Sequence, residues 1–332
     1  MPVKNADLRE DLPQSPSELI RCQRISHSAI MTPQLSKCQG YDTLVVVFTA
    51  ADVLGFDSAD GTLAYRDSGG DGTPVVLLHA SFVDSSMFDP QLSALGRHCR
   101  VIVPDARGHG ASANATKPFR QVDDLVALLR HLEVSSAVLV GVSMGAMIAI
   151  DAAVEYPELA DGLVVSGRGI GEPEYRNRWS RTVATAQADA LVRRDVAAWM
   201  DAFVCWAAGP DRALDEVDPG VLAKLRQMAA RTLAKHPVPE PDHSIPVADV
   251  MTRAHTIRCP VLAVDGVYDS PDLTATVDRL LDAVPNGRRD MIDNAGHYPN
   301  MEQPAAYNQL IEDFLDAIAT TSRGTPSTTS TE

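Results

Sequence analysis

The run from Ser136 to Ile150, SAVLVGVSMGAMIAI, constrains the fold more than any other stretch. Ala137 to Val140 is a short apolar run suited to a strand covered on both faces, and Met144 onward is built from good helix formers. Between them lies Gly141-Val142-Ser143-Met144-Gly145, a G-x-S-x-G. A strand that becomes a helix within so few residues crowds the backbone around the serine, so the flanking positions have to lack a Cβ or nearly so. Gly141 and Gly145 meet that demand. Such a turn lifts the Ser143 hydroxyl above the sheet edge. It also leaves the Met144 amide, at a helix N-terminus, free to face a developing negative charge. The stretch therefore reads as a candidate nucleophile with half an anion hole rather than as an ordinary loop.

An elbow of this kind needs a parallel sheet beneath it, and the surrounding chain alternates accordingly. Buried strands are predicted at Pro74–Leu78 and Val101–Val103, with later strands at Gly162–Val165 and Pro260–Val264 and a last one near Arg289–Ile292. Helices are predicted at Ser86–Leu95, Val122–His131, Ala146–Glu155, Leu273–Ala283 and Ala305–Ala319. That alternation means parallel pairing with right-handed crossovers. Ahead of it, alternating apolar residues flank Asp60-Gly61, a dipeptide suited to a tight hairpin.

Two segments interrupt the pattern. Residues 171–257 are helical in texture and hold all three tryptophans, Trp179, Trp199 and Trp206, so they read as a helical cap over the carboxyl end of the sheet. Gly167 to Gly171 is glycine-rich but lacks the Lys-Ser/Thr of a phosphate loop, and reads as a hinge into the cap. The expected organisation is a core at 53–170 and 258–318, a poorly ordered extension at 1–52 with a β-prone patch at Leu44–Thr49, and a disordered tail at 319–332.

Composition removes several function classes. A net charge of −15 argues against a phosphate-binding surface, so nucleic acid is not expected as a partner. The five cysteines, Cys22, Cys38, Cys99, Cys205 and Cys259, are scattered and odd in number. They point to buried thiols rather than disulfides or a zinc site. The first twenty residues lack the apolar core of a signal peptide, and no apolar run is long enough to cross a bilayer. A cytoplasmic protein with no membrane partner is expected. Oligomeric state is not addressed by the sequence.

A serine hydroxyl needs a base, and the base needs a carboxylate to orient it. In an open parallel sheet these groups belong at the carboxyl ends of strands. Asp269 follows Pro260–Val264, with Asp265 and Asp272 as neighbouring alternatives, and His297 follows the last strand. Of nine histidines, only His79 shares that kind of position, and it reads as a structural residue of its loop. The segment Arg107 to Gly110 reads as a turn that orders the sheet edge. Trp199, Phe203 and Trp206 form a stripe at helical spacing, suited to packing and also to roofing a pocket.

These residues carry a resemblance. Gly141 to Gly145, Asp269 and His297 stand in the order Ser, Asp, His. With Pro104-Asp105-Ala106-Arg107-Gly108-His109-Gly110 and Asn294-Ala295-Gly296-His297, they resemble the α/β-hydrolase superfamily over about Val53 to Leu315. The segments LLHASFVDSSMFDPQL, ARGHGAS and GVSMGAMIA are most similar to the branch of 3-oxoadipate enol-lactonases and small-ester carboxylesterases.

The resemblance implies an α/β-hydrolase fold with a mostly parallel sheet and an inserted helical cap. It makes Ser143 the nucleophile, His297 the base and acid, and Asp269 the group that fixes the histidine tautomer. It places a second anion-hole amide at Ser81, with Phe82 as alternative. The implied reaction is cofactor- and metal-independent cleavage of a carboxylic ester or lactone through an acyl-enzyme. Perhydrolase (haloperoxidase-like), carbon–carbon bond hydrolase or acyltransferase chemistry on the same triad is the alternative, and a non-catalytic binding protein a further one. The chain departs from the pattern at Ala80 and Ala146, where glycine is usual, and at Phe88, where tryptophan is common.

Overall fold

A computed structural model describes residues 53–236 and 240–323. The extension at 1–52, with its Leu44–Thr49 patch, and the end of the tail lie outside the described residues. Eight strands form one sheet: β1 (Leu54–Ser58), β2 (Gly61–Asp67), β3 (Pro74–Leu78), β4 (Arg100–Pro104), β5 (Ala137–Val142), β6 (Ala160–Ser166), β7 (Val261–Gly266) and β8 (Gly287–Ile292). Their order across the sheet is β1-β2-β4-β3-β5-β6-β7-β8. From β4 to β8 every pairing is parallel. The hairpin closed by Asp60-Gly61 adds β1 and β2 antiparallel at one edge, with Gly61 at φ +85°.

The two-residue period of the strands divides the core. Val75 and Leu77 of β3, Val138 and Val140 of β5, and Leu262 and Val264 of β7 face one side. Val76, Leu78, Ala137, Leu139, Val261 and Ala263 face the other. The first side is covered by α1 (Asp89–Leu95) and α8 (Pro304–Arg323), the second by α2 (Gln121–His131), α3 (Met144–Glu155) and α7 (Pro271–Ala283). The central strands β3 to β7, buried on both faces in this way, have to be near-continuously apolar, which is what made them legible; the edge strand β8, GRRDMI, is largely exposed. α8 runs to Arg323 instead of stopping at Ala319, because Thr320 to Arg323 contain no breaker before Gly324.

Between β6 and β7 the chain forms α4 (Arg178–Arg193), α5 (Val196–Ala208) and α6 (Pro219–Lys235). The helical texture expected through residue 257 breaks off after Lys235 and returns in the short helical turns Val250–Arg253 and Ala254–Thr256. Pro241 and Pro246 interrupt it, and Phe119 and Ile245 instead exchange backbone hydrogen bonds with one another's neighbourhood: Phe119 N donates to His243 O and Ile245 N to Phe119 O. α6 is tied to the loop after β3 by Arg231, whose Nη2 lies 2.6 Å from Asp84 Oδ2.

Candidate active site

The turn from β5 into α3 is as tight as the glycines require. A Cβ on Gly145 would sit 1.9 Å from Leu78 O, and one on Gly141 2.2 Å from the Gly145 carbonyl. Ser143, between them, is held at φ 54°, ψ −112°, a strained conformation for a side chain with a Cβ. Its own N–H donates to Ser166 O at 2.8 Å. The strand on one side and the helix on the other thus hold Ser143 in the lining of a cavity of about 560 Å³.

His297 borders the same cavity. Its Nδ1 donates to Asp269, 3.0 Å from Oδ2 and 3.1 Å from Oδ1, and Asp269 Oδ1 also accepts from Ser270 N. Both residues are buried. Burial resists protonation of the imidazole, but the Asp269 charge and hydrogen bond, with help from Asp265, outweigh it and raise its pKa above 6.5. Of the three carboxylates near this turn, only Asp269 is bonded to His297. Asp265 accepts from Gly167 N at 2.8 Å and lies 3.1 Å from Arg289 Nε. Asp272 caps the amides of Arg176 and Asn177.

The two halves of the site meet at the end of β6. Ser166 O holds the Ser143 amide, and the next residue, Gly167, lies on the His297 ring. A Cβ there would be 2.6 Å from Cε1 and 2.7 Å from Nδ1. The segment Gly167–Gly171 is therefore not a free hinge. Gly169 N donates to Thr276 Oγ1 and Ile170 N to Thr276 O, clamping it against α7.

Ala80, Ser81 and Phe82 line the cavity facing Ser143 and Met144. Neither the Ser81 nor the Met144 amide has a protein acceptor among the described residues. Phe82 sits at φ +64°, and its ring meets Trp199 edge-on at 4.6 Å. His79 anchors this loop: Nδ1 donates to Ala80 O, and Nε2 accepts from Ala106 N at 2.9 Å. Trp199, Phe203 and Trp206 are buried and also line the cavity, so the stripe serves packing and pocket together. Ala146 and Phe88 are buried. Among the described residues no cluster of His, Cys, Asp or Glu could hold a metal ion, and no helix is long and apolar enough to cross a membrane.

The alpha/beta hydrolase family model matches residues 75–310. The chain belongs to this family. The hydrolase is 26% identical to 3-oxoadipate enol-lactonase 2 of Acinetobacter baylyi, over 80% of this chain and 97% of that one. Among solved structures it is similar to the enol-lactonase of Burkholderia xenovorans, at TM-score 0.59 and 25% identity, covering 77% of this chain and 96% of that one. It is also similar to an enzyme described as degrading N-acyl homoserine lactones, at TM-score 0.63 and 25% identity, covering 79% and 100%.

Sequence reasoning missed two supports of the hydrolase's site. One is Gly167, whose nearness to His297 depends on a contact across the sheet. The other is a buried ion pair between the inserted segment and the histidine loop: Arg212 Nη2 lies 2.6 Å from Glu302 Oε2, and Glu302 Oε1 accepts from Gly296 N. A lone glutamate five residues past His297, in the otherwise uncharged HYPNMEQP, was the available signal.

Proposed function

We propose that the protein is a serine hydrolase that cleaves a small carboxylic ester or lactone through an acyl-enzyme. The observation that carries this reading is the junction at Ser166-Gly167, which brings the strained Ser143 and the Asp269-bound His297 to one cavity. The names of the similar enzymes favour the substrate class.

In the proposed reaction His297 removes the Ser143 proton through Nε2 while Oγ attacks the carbonyl carbon. The carbonyl oxygen becomes an oxyanion facing the amides of Met144 and Ser81. The C–O bond to the alcohol breaks as His297 returns its proton to the leaving oxygen. Water, deprotonated by the same ring, then releases the acid and restores Ser143. Asp269 keeps Nδ1 protonated, so that Nε2 presents its lone pair. No cofactor enters these steps. Residues 171–257 act as the cap that sets which substrates fit, over a core at 53–170 and 258–318. Cys99 and Cys259 are free and half-buried rather than fully buried, which suits a reducing, cytoplasmic setting.

Turnover of p-nitrophenyl esters of graded acyl length and of simple lactones tests the reading. Ser143→Ala is expected to lower kcat by roughly ten-thousand-fold or more and to abolish labelling by a fluorophosphonate. Retention of turnover in that variant would reject the assignment.

A further inference from the structure

Arg168 follows Gly167 on the wall of the same cavity and is 9% exposed. A guanidinium carries five N–H donors and keeps its charge at all ordinary pH. Among the described residues it has one acceptor: Nη2 donates to Glu172 Oε2 at 3.0 Å, and that carboxylate is 88% exposed. Nε is buried without an acceptor, and Nη1 has none among the described residues. A solvated carboxylate compensates a buried cation poorly.

The surroundings indicate what completes the pairing. Among the described residues no carboxylate lines the cavity, and Arg168 is the one permanent charge in its lining, set among apolar groups such as Met147, Leu191 and Phe203. Two neutral donors share the lining. Tyr175 has its phenol pKa raised by burial, against a smaller opposing pull from Arg168, so it stays protonated. Gln187 has its Oε1 taken by Trp206 Nε1 at 3.1 Å, which leaves its NH₂ as the end without a protein partner among the described residues. The net charge of −15 means that attraction for an anion here is local and does not come from the molecule's overall field.

We propose that Arg168 is the anion-recognition residue of the cavity, and that the substrate is an ester or lactone bearing a carboxylate away from the scissile bond. This deepens the serine-hydrolase reading and rests on it. The planar fork of a guanidinium matches a carboxylate. A single cation with neutral donors beside it suits a monoanion better than a phosphate dianion. A neutral substrate leaves the buried donors unpaired, and that asymmetry is what gives such a site its discrimination.

Mono-p-nitrophenyl esters of dicarboxylic acids of about six to eight carbons, a span suited to a cavity of this size, test the proposal against p-nitrophenyl esters of monocarboxylic acids of equal carbon number. The wild-type protein is expected to favour the anionic ester in kcat/KM by roughly ten- to hundredfold, mainly through KM. Arg168→Met should collapse that ratio. Arg168→Lys, which keeps the charge and loses the fork, should keep part of it. A wild-type preference for the neutral ester overturns the proposal whether or not the variants fold, as does an unchanged ratio in Arg168→Met. Cleavage of the neutral esters without an anionic preference removes this inference alone. Failure to cleave either series, with no fluorophosphonate labelling of Ser143, removes the hydrolase reading and this inference together.

Discussion

Asp105-Ala106-Arg107-Gly108-His109-Gly110 and Gly167-Arg168-Gly169-Ile170-Gly171 look alike in sequence, each a glycine-rich loop after a buried strand with one arginine, yet the protein uses the two arginines differently. Arg107 is 3% exposed, and its fork is taken up internally. Nε and Nη2 grip Asp124 at 2.7 and 2.8 Å, Nη2 also reaches Ser58 Oγ at 2.9 Å, and Nη1 donates to Asp60 O. It joins the β1–β2 hairpin to α2. Arg168 is nearly as buried, but most of its donors face no acceptor among the described residues. Burial of a charge does not separate architecture from recognition. The number of its donors that the protein itself satisfies does.

Matched variants put that contrast to the test, and the largest effect is expected on stability. Arg107→Met breaks a largely buried ion pair, leaving the partly buried Asp124 without its partner, and should cost about 3 kcal/mol in chemical denaturation. Arg168→Met removes a poorly compensated cation and should stay within about 1 kcal/mol of wild type. Equal losses would erase the distinction between the loops. The next effect is on turnover. Gly167→Ala places a methyl within 2.6 Å of His297 Cε1, at a residue with φ +66°, so the ring must shift. Displacing the proposed base by a fraction of its reach should lower kcat on the order of a hundredfold. Circular dichroism should show the fold retained, and a kcat within a few-fold of wild type would mean that the loop does not position His297.

Much of this arrangement was visible in the chain itself. The elbow could be read because its demands are local: Gly141 and Gly145 are dictated by backbone atoms within a few residues and by the end of the adjacent strand. The pairing of Asp269 with His297 could be anticipated because an open parallel sheet places its ligand-facing groups at strand ends, which left few candidates. Gly167 could not, since what excludes a Cβ there is a ring contributed from 130 positions later in the chain. The tryptophan stripe stayed ambiguous for a related reason. Trp199 and Phe203 stack at 5.0 Å, and an apolar helical face has the same pattern whether it meets a neighbouring helix or an open cavity. Only the spacing between distant elements decides which. Arg107 and Arg168 share this limit, because their partners Asp124 and Glu172 are equally ordinary acidic residues in sequence and differ in burial alone.

The finest separation of the two loops is expected in the pH dependence of kcat/KM. In the proposed reaction His297 has to be neutral to accept the Ser143 proton, so activity should rise with pH through the ring's pKa. Burial works to lower that pKa, but the Asp269 charge and hydrogen bond, with Asp265 behind them, raise it above 6.5, while Arg168 opposes the protonated ring. Removing a nearby cation makes the imidazolium easier to form. Arg168→Met should therefore move the acid limb toward higher pH, measured with a neutral ester so that the substrate's own charge does not change. Arg107→Met, whose cation faces the hairpin and α2, should leave the limb where the wild type has it. An unmoved limb in Arg168→Met, or an equal displacement in both variants, would show that the Arg168 charge is not felt at the reacting imidazole, and the two arginines would then differ only in how they are packed.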